Sequence, residues 1–184
     1  MKWLLLILSL GLPGFMQAAE FSLPVLMQSL AQVQRIEADF QEQKTLAILS
    51  TPLVFSGTLS YRAPDYIKKQ TAEQELFILD GEWLTLETPQ QGRQQFDLAG
   101  YRDLQPLTAA LRGLLSGDLA LLQRFYTLTL SGSMDAWQLQ LVPRDPAAAA
   151  LIEQITANGH RNRIERLLTV ERNGDRSLMT ISPH

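Results

Sequence analysis

Two histidines are the first candidates for acid–base chemistry in this 184-residue chain. Imidazole is the side chain that ordinarily takes up and releases a proton near neutral pH. His160 lies in the segment "NGHRN", which is typical of a turn, and His184 is the last residue. We interpret His160 as a solvent-exposed loop residue, and neither histidine is placed to anchor a catalytic site.

Carboxylate pairs and metal ligands give no stronger catalytic signal. Glu37 and Asp39, like Glu73 and Glu75, are predicted to lie on outward faces of strands, where solvation explains them. The chain has no cysteine, which excludes a disulfide, a thiolate metal site and a lipidated N-terminal cysteine. Its glycines are scattered at turns, without the clustering of a phosphate-binding loop. We therefore predict no catalytic residue, no metal, no cofactor and no enzymatic activity.

The N-terminal segment has the layout of a secretory signal peptide. Lys2 precedes an apolar run from Trp3 to Leu12, and a Pro-Gly break and small residues follow. Because this run is too short to span a bilayer comfortably, we predict a cleaved signal peptide at 1–19 rather than a retained anchor. Residues 20–184 are then expected to form a single domain.

Charge gives little reason to expect a polyanionic partner. The formal net charge is −3, and the chain has no run of basic residues. The aromatic residues are not interleaved with a basic stripe, as they are in proteins that stack on nucleic acid bases. We predict that the protein binds no nucleic acid and acts as a monomer.

Hydrophobic periodicity predicts a mainly β (α+β) protein. Spacings of three and four residues predict one helix in "SLPVLMQSLAQV", two more between Leu104 and Phe125 with a hinge at 116–118, and a short one in "PAAAALIEQ". Asp80-Gly81 and Asn173-Gly174-Asp175 are typical of hairpin turns. We count about eleven candidate strands, among them 36–41, 53–62, 66–71, 75–79, 83–88, 93–97, 125–131, 136–142, 163–171 and 176–182.

Many short turns imply one antiparallel sheet, and a sheet of this length must curl. With so few helices, the expected fold is an unclosed β-barrel whose helices act as a lid over a concave apolar face. This face is either an ordinary core or a cavity for a water-insoluble ligand. The predicted cavity residues are Phe40, Leu53, Phe55, Leu59, Tyr61, Trp83, Trp137, Leu139 and Leu141, and the predicted lid residues are Leu107, Leu111, Leu114 and Leu115.

Four local motifs, read in order, resemble the periplasmic outer-membrane lipoprotein carrier proteins (LolA-like). The resemblance implies an unclosed barrel that receives acylated lipoproteins, or a related lipid, from an inner-membrane ABC-type complex and passes them to an outer-membrane receptor. Because that receptor is lipidated, the missing cysteine favours the soluble periplasmic carrier, in a shorter, divergent branch. The motifs are "ADFQ" from Ala38, "FSGTL" from Phe55 with "RAPD" from Arg62, "LDGEWLTL" from Leu79, and "NGDRSLMTI" from Asn173.

One departure from the family pattern concerns the residue that holds the lid closed. In the family, an arginine immediately before a proline serves as this latch, whereas Ala63 stands before Pro64 here. Arg62, one residue earlier, is the candidate latch, although a shift of one residue on a strand moves a side chain to the other face. The alternative functions are a lipid-sensing or protein-binding signalling module and, with less support, an enzyme built on the same half-barrel.

Overall fold

The computed structural model describes residues 20–101 and 104–184, so the predicted signal peptide at 1–19 lies outside the described residues. Eleven antiparallel strands form one sheet that does not close into a barrel. The strands are β1 (Arg35–Thr45), β2 (Leu53–Arg62), β3 (Tyr66–Thr71), β4 (Leu76–Asp80), β5 (Trp83–Thr88), β6 (Gly92–Asp97), β7 (Tyr126–Ser133), β8 (Ala136–Pro143), β9 (Ile152–His160), β10 (Arg163–Glu171) and β11 (Arg176–Pro183).

The strand order joins the two ends of the chain at the middle of the sheet. It runs β6-β5-β4-β3-β2-β1-β11-β10-β9-β8-β7. Every adjacent pair except β1–β11 therefore consists of strands that are consecutive in the sequence. The helices are α1 (Leu23–Leu30), α2 (Gln105–Ser116), α3 (Leu119–Phe125) and α4 (Pro146–Leu151). None of the helices in the described part of the chain is long and apolar enough to cross a membrane.

Strand register assigns the apolar residues to one face of the sheet, here called the inner face. Phe40 on β1 lies opposite Gly57 on β2 and Ile181 on β11, and directly paired residues share a face. On β1 the positions in phase with Phe40 are shielded, whereas Glu37, Asp39 and the other alternate residues are exposed. The apolar and polar residues that alternate in the sequence therefore point alternately to the core and to solvent.

The helices cover the inner face and divide its core into two clusters. The first, here called the helical cluster, is centred on Leu26, Leu114, Leu122, Trp137 and Leu139. The second, here called the strand cluster, consists of Tyr61, Ile67, Leu79, Leu84 and Leu98. Helix α2 bridges them, because Ala110 and Leu114 belong to the helical cluster while Leu111 and Leu115 pack against the strand cluster.

Gly117 ends α2 and allows it to pack closely on α1. Its φ is +67°, a left-handed conformation that favours glycine, and its amide N–H donates to the carbonyl of Gly113. A Cβ at position 117 would lie 2.2 Å from the carbonyl oxygen of Met27 and 2.7 Å from the amide nitrogen of Ala31. The predicted hinge at 116–118 is thus a tight helix end enforced by backbone contact.

The main correction to the predicted elements is strand β9. We expected a helix to run through residue 154 and a turn around His160, but α4 ends at Leu151 and β9 continues to His160. His160 is accordingly not a free loop residue: its side chain is 35% exposed, and its Nε2 lies 3.5 Å from Asp135 Oδ1. The strand was missed because two of its inward residues, Ala157 and Gly159, are too small to give a hydrophobic alternation.

A smaller correction concerns the first predicted hairpin turn. Asp80 is the last residue of β4 and pairs with Trp83, so the turn residues are Gly81 and Glu82. Of the predicted pair Asp80-Gly81, only Gly81 has a positive φ, at +51°. The hairpin itself is confirmed.

Candidate functional site

A cavity of about 630 Å³ lies between the inner face of the sheet and α2. Both halves of the sheet contribute, so the cavity spans the central β1–β11 junction. Its apolar wall consists of Val33, Ile36, Leu59, Tyr61, Ile67, Phe77, Leu111, Leu114, Leu115, Ile164, Leu167, Met179, Ile181 and Pro183. Its polar lining residues are Arg35, Glu37, Ser60, Lys69, Asn162, Arg163 and His184.

Five of the predicted site residues line this cavity. Leu59 and Tyr61 contribute from β2, and Leu111, Leu114 and Leu115 contribute from α2. Leu107, the fourth predicted lid residue, packs against the helical cluster instead. The sheet and the helix thus meet at the cavity through residues from both predicted sets.

The other predicted cavity residues lie elsewhere. Trp137, Leu139 and Leu141 are buried in the helical cluster, and Phe40 is buried beneath Lys69, whose Nζ lies 4.9 Å from the ring centroid.

The remaining three predicted cavity residues lie at strand ends. Leu53 and Phe55 share the inner face but sit near the tip of the β1–β2 hairpin, where Leu53 is 40% exposed. Trp83 lies on the outer face, opposite in phase to Leu84, and is 49% exposed.

Nine apolar wall residues outside α2 were not among the cavity residues predicted from the sequence. Ile36 is in phase with Phe40 on β1, and Met179 and Ile181 are in phase on β11, so alternation carried the signal. Which in-phase residues meet at one place depends on strand register and on how far α2 extends across the sheet. The missed residues are Val33, Ile36, Ile67, Phe77, Ile164, Leu167, Met179, Ile181 and Pro183.

Arg112 attaches α2 to the turn between β4 and β5. Its Nη2 donates a hydrogen bond to the carbonyl of Gly81, and its Nη1 lies 3.8 Å from Glu82 Oε1. The Arg112 side chain is 17% exposed, whereas that of Glu82 is 69% exposed. The carbonyl contact is therefore the more shielded of the two, and it holds the middle of α2 against the sheet.

Arg62, the candidate latch from the sequence, has a different contact. It pairs with Arg35 and Tyr66 at the end of β2, on the outer face of the sheet. Its guanidinium lies 4.1 Å from the centroid of the Tyr66 ring. Among the described residues, the arginine that contacts the rim of the sheet from α2 is Arg112.

A family comparison assigns the chain. The family model described as outer membrane lipoprotein carrier protein LolA-like matches residues 17–181. The chain belongs to this LolA-like family. The family is periplasmic, its fold is one of binding and carrier proteins, and membership indicates lipid or lipoprotein binding.

Solved structures resemble the LolA-like chain only distantly. A LolA superfamily protein from Nitrosomonas europaea has 10% identity and a TM-score of 0.45, with 85% of this chain and 90% of that one covered. A DUF1329 family protein from Desulfovibrio piger has 10% identity and a TM-score of 0.47, with 87% and 88% covered. The Pseudomonas aeruginosa MucA/MucB complex has 12% identity and a TM-score of 0.44, with 86% and 55% covered. No curated protein matches the sequence.

The LolA-like chain also carries a buried charge cluster on its inner face. Glu42 is 5% exposed and in phase with Phe40. It accepts hydrogen bonds from Lys69 and from Ser177 Oγ, the latter at 2.5 Å, and Lys44 Nζ lies 3.9 Å away. Burial raises the pKa of Glu42, but these hydrogen bonds and the lysine charges outweigh burial, so its pKa lies below the ordinary value of 4.5. Lys69 also lines the cavity, which places this neutralised pair beside it.

Acid should remove the contribution of Glu42 to stability. Because its pKa is lower in the folded protein than in the unfolded chain, this contribution is present above pH 4.5 and is lost as pH falls through the folded pKa. We expect Glu42→Gln to lower stability at pH 7 by about 1.5–3 kcal/mol, and the difference from wild type to shrink towards pH 3. Thermal unfolding across this range measures it.

Glu73→Gln is the matched control for this experiment, since Glu73 is exposed in the β3–β4 turn. We expect it to unfold like the wild type at every pH. A Glu42→Gln deficit that stays constant down to pH 3 would show that Glu42 stabilises the sheet without its charge.

The described ranges, 20–101 and 104–184, contain no group of three or more His, Cys, Asp or Glu side chains able to hold a metal ion. The chemistry that the cavity offers is apolar enclosure by side chains of the sheet and α2. Its charged side chains are Arg35, Glu37 and Arg163, which are exposed and form its rim, and Lys69, which pairs with Glu42.

Proposed function

We propose that the protein is a periplasmic carrier that encloses the acyl chains of a lipoprotein, or of a related lipid, during transfer from the inner to the outer membrane. The apolar cavity under α2 is the observation that carries this proposal. Its volume of about 630 Å³ lies within the range of ~300–1,000 Å³ that is usual for ligand pockets. An ordinary core of this size would be filled by its own side chains.

The physical need for such a carrier follows from the hydrophobic effect. Each methylene group exposed to water costs about 0.8 kcal/mol, so a sixteen-carbon chain costs roughly 12 kcal/mol. Diffusion of the free lipid between membranes is therefore negligible. A protein that shields the chain and releases it to an acceptor removes most of this cost.

Helix α2 is the element that would move when cargo enters. It contributes Leu111, Leu114 and Leu115 to the cavity wall and is held to the sheet by Arg112. The helix ends at Gly117, which packs closely on α1, so α2 would swing about this fixed end. Displacement of α2 would enlarge the cavity and expose its wall to an acyl chain.

The direct test is to purify the protein from the periplasm of its native cells and identify bound lipid by mass spectrometry. The proposal predicts an acylated molecule in an amount close to one per protein. A stable complex with a protein partner and no lipid would support the alternative, a protein-binding signalling module. Turnover of a bound ligand that one carboxylate substitution abolishes would support an enzyme.

Tryptophan fluorescence should report cargo binding through Trp137. Its indole Nε1 donates to the carbonyl of Arg161 at 2.9 Å, and the next residues, Asn162 and Arg163, line the cavity. Trp83 lies on the outer face and should remain silent. We expect a fatty acid to shift the emission of a Trp83→Phe variant but not that of a Trp137→Phe variant. Equal silence of both variants would contradict coupling between the cavity and this turn.

A further inference from the structure

Two arginines face each other where the first hairpin ends at the cavity. Arg35 and Arg62 are directly opposite in the β1–β2 ladder, exposed on the outer face at the open end of the hairpin. Like charges in this position destabilise a strand pair, because their Cβ atoms are only ~4.5–5.5 Å apart. Arg35 also lines the cavity. Arg62 stacks on Tyr66 and does not line the cavity, but its charge adds to the positive potential beside Arg35, at some cost to the empty protein.

A third arginine reaches the same rim from the other half of the sheet. Arg163, at the start of β10, lines the cavity together with Arg35. Within residues 20–101 and 104–184, no carboxylate lies within 4.0 Å of the guanidinium of any of these three arginines. The acidic rim residue Glu37 accepts a hydrogen bond from Ser60 Oγ at 2.7 Å instead.

The charged residues beside Phe40 differ from the rim arginines in how they are paired. There Glu42 pairs with Lys69 within the protein, whereas none of the ion pairs among the described residues involves Arg35, Arg62 or Arg163. Arg35, Arg62 and Arg163 are widely separated in the sequence, so they do not form a run of basic residues. A guanidinium offers a planar fork of donors that fits a carboxylate or phosphate.

We propose that Arg35 and Arg163 bind the anionic headgroup of the cargo, a phosphate or carboxylate, while its acyl chain occupies the cavity. This inference rests on the proposed carrier function and adds the chemical class of the lipid. The headgroup of an amphiphile is the occupant, rather than a free anion, because Arg35 and Arg163 are exposed residues at strand starts that also line an apolar cavity. A free anion would gain nothing from that wall.

The experiment compares two lipids that differ only in the anion. Monopalmitoyl phosphatidic acid and monopalmitoylglycerol share the chain and the glycerol, and each displaces a fluorescent fatty-acid probe from the full-length protein. We expect the phosphate lipid to bind the wild type at least about tenfold more tightly at low salt, and this advantage to shrink with added salt. The double variant Arg35→Gln/Arg163→Gln should lose the advantage and keep its affinity for monopalmitoylglycerol.

Stability separates headgroup binding from a structural role. Removing one arginine of the opposed pair relieves repulsion, so the thermal midpoint of the double variant should stay unchanged or rise. Arg93→Gln is the matched control, because Arg93 is an exposed arginine on β6 that does not line the cavity. It should bind both lipids like the wild type.

The headgroup site and the carrier function predict different outcomes for these lipids. Equal binding of the two lipids by the wild type would overturn the headgroup site and leave the carrier intact. Binding of neither lipid would overturn both. Glycerol phosphate that binds as tightly as the phosphate lipid would show a site for free anions and overturn the lipid headgroup as its occupant.

Discussion

Leu111→Ala is expected to tighten lipid binding while it destabilises the empty protein. Leu111 lines the cavity and packs against the strand cluster. A fully buried leucine truncated to alanine costs about 2–5 kcal/mol, and the partly buried Leu111 should cost about 1–3 kcal/mol. If lipid displaces this side chain, the cost falls on the closed empty form alone. The dissociation constant should then decrease by roughly tenfold for each 1.4 kcal/mol.

The measurement is thermal unfolding and lipid release, with and without a fatty-acyl ligand. Lipid should restore much of the lost stability of Leu111→Ala, because a ligand stabilises the form it binds. Leu141→Ala is the matched control: Leu141 on β8 is fully buried in the helical cluster and does not line the cavity. We expect it to lose about 2–5 kcal/mol in both conditions. If Leu111→Ala behaves in the same way, α2 is fixed core.

The strands were predictable because one face of the sheet is buried. On β1, the large residues Ile36 and Phe40 alternate with charged ones, and a slip of one residue would expose the whole set. The same logic failed at β9, where Gly159 makes room for the Trp137 ring on the neighbouring strand. A Cβ on Gly159 would lie 2.4 Å from that ring. Small inward residues are there a consequence of a large neighbour on β8, which local periodicity does not show.

Alternation predicted which face of the sheet lines the cavity, but not where along the strands the cavity lies. Phe55 and Leu59 share the inner face of β2, yet only Leu59 lines the cavity. The difference depends on where α2 crosses the sheet, and that crossing is set by contacts between distant segments. The bond between Arg112 and Gly81 is an example: it joins residues 31 positions apart. No spacing rule within either segment specifies such a contact.

The buried charge of Glu42 is a second feature that hydrophobic alternation does not predict. It occupies an inward position, in phase with Ile36 and Phe40, where alternation predicts an apolar side chain. Its partners Lys69 and Ser177 come from β3 and β11, so only the assembled sheet satisfies its charge. An inward charge on an otherwise apolar strand face is the sequence signal that such a partner must exist.

Arg112→Ala is expected to release α2 and so to slow lipid dissociation. The bond from the guanidinium to the Gly81 carbonyl belongs to the closed form, and a hydrogen bond from a charged donor is worth about 1.5–3 kcal/mol. If α2 moves away when cargo enters, the empty protein loses this energy and the loaded protein does not. The lipid should then bind about tenfold more tightly or better, and the midpoint of thermal unfolding should fall only without lipid.

Two matched variants and one direct observable distinguish this outcome from general damage. Glu82→Gln removes only the exposed ion pair at 3.8 Å, so it should change stability by less than about 1 kcal/mol and leave release unchanged. Arg112→Lys keeps the charge but loses the fork of donors, so it should fall between wild type and alanine. Hydrogen exchange of the α2 amides should rise when lipid binds the wild type and should already be raised in empty Arg112→Ala. Equal loss of stability in the empty and loaded forms, with unchanged exchange, would mean that the bond to Gly81 persists in the loaded state and that cargo enters without moving α2.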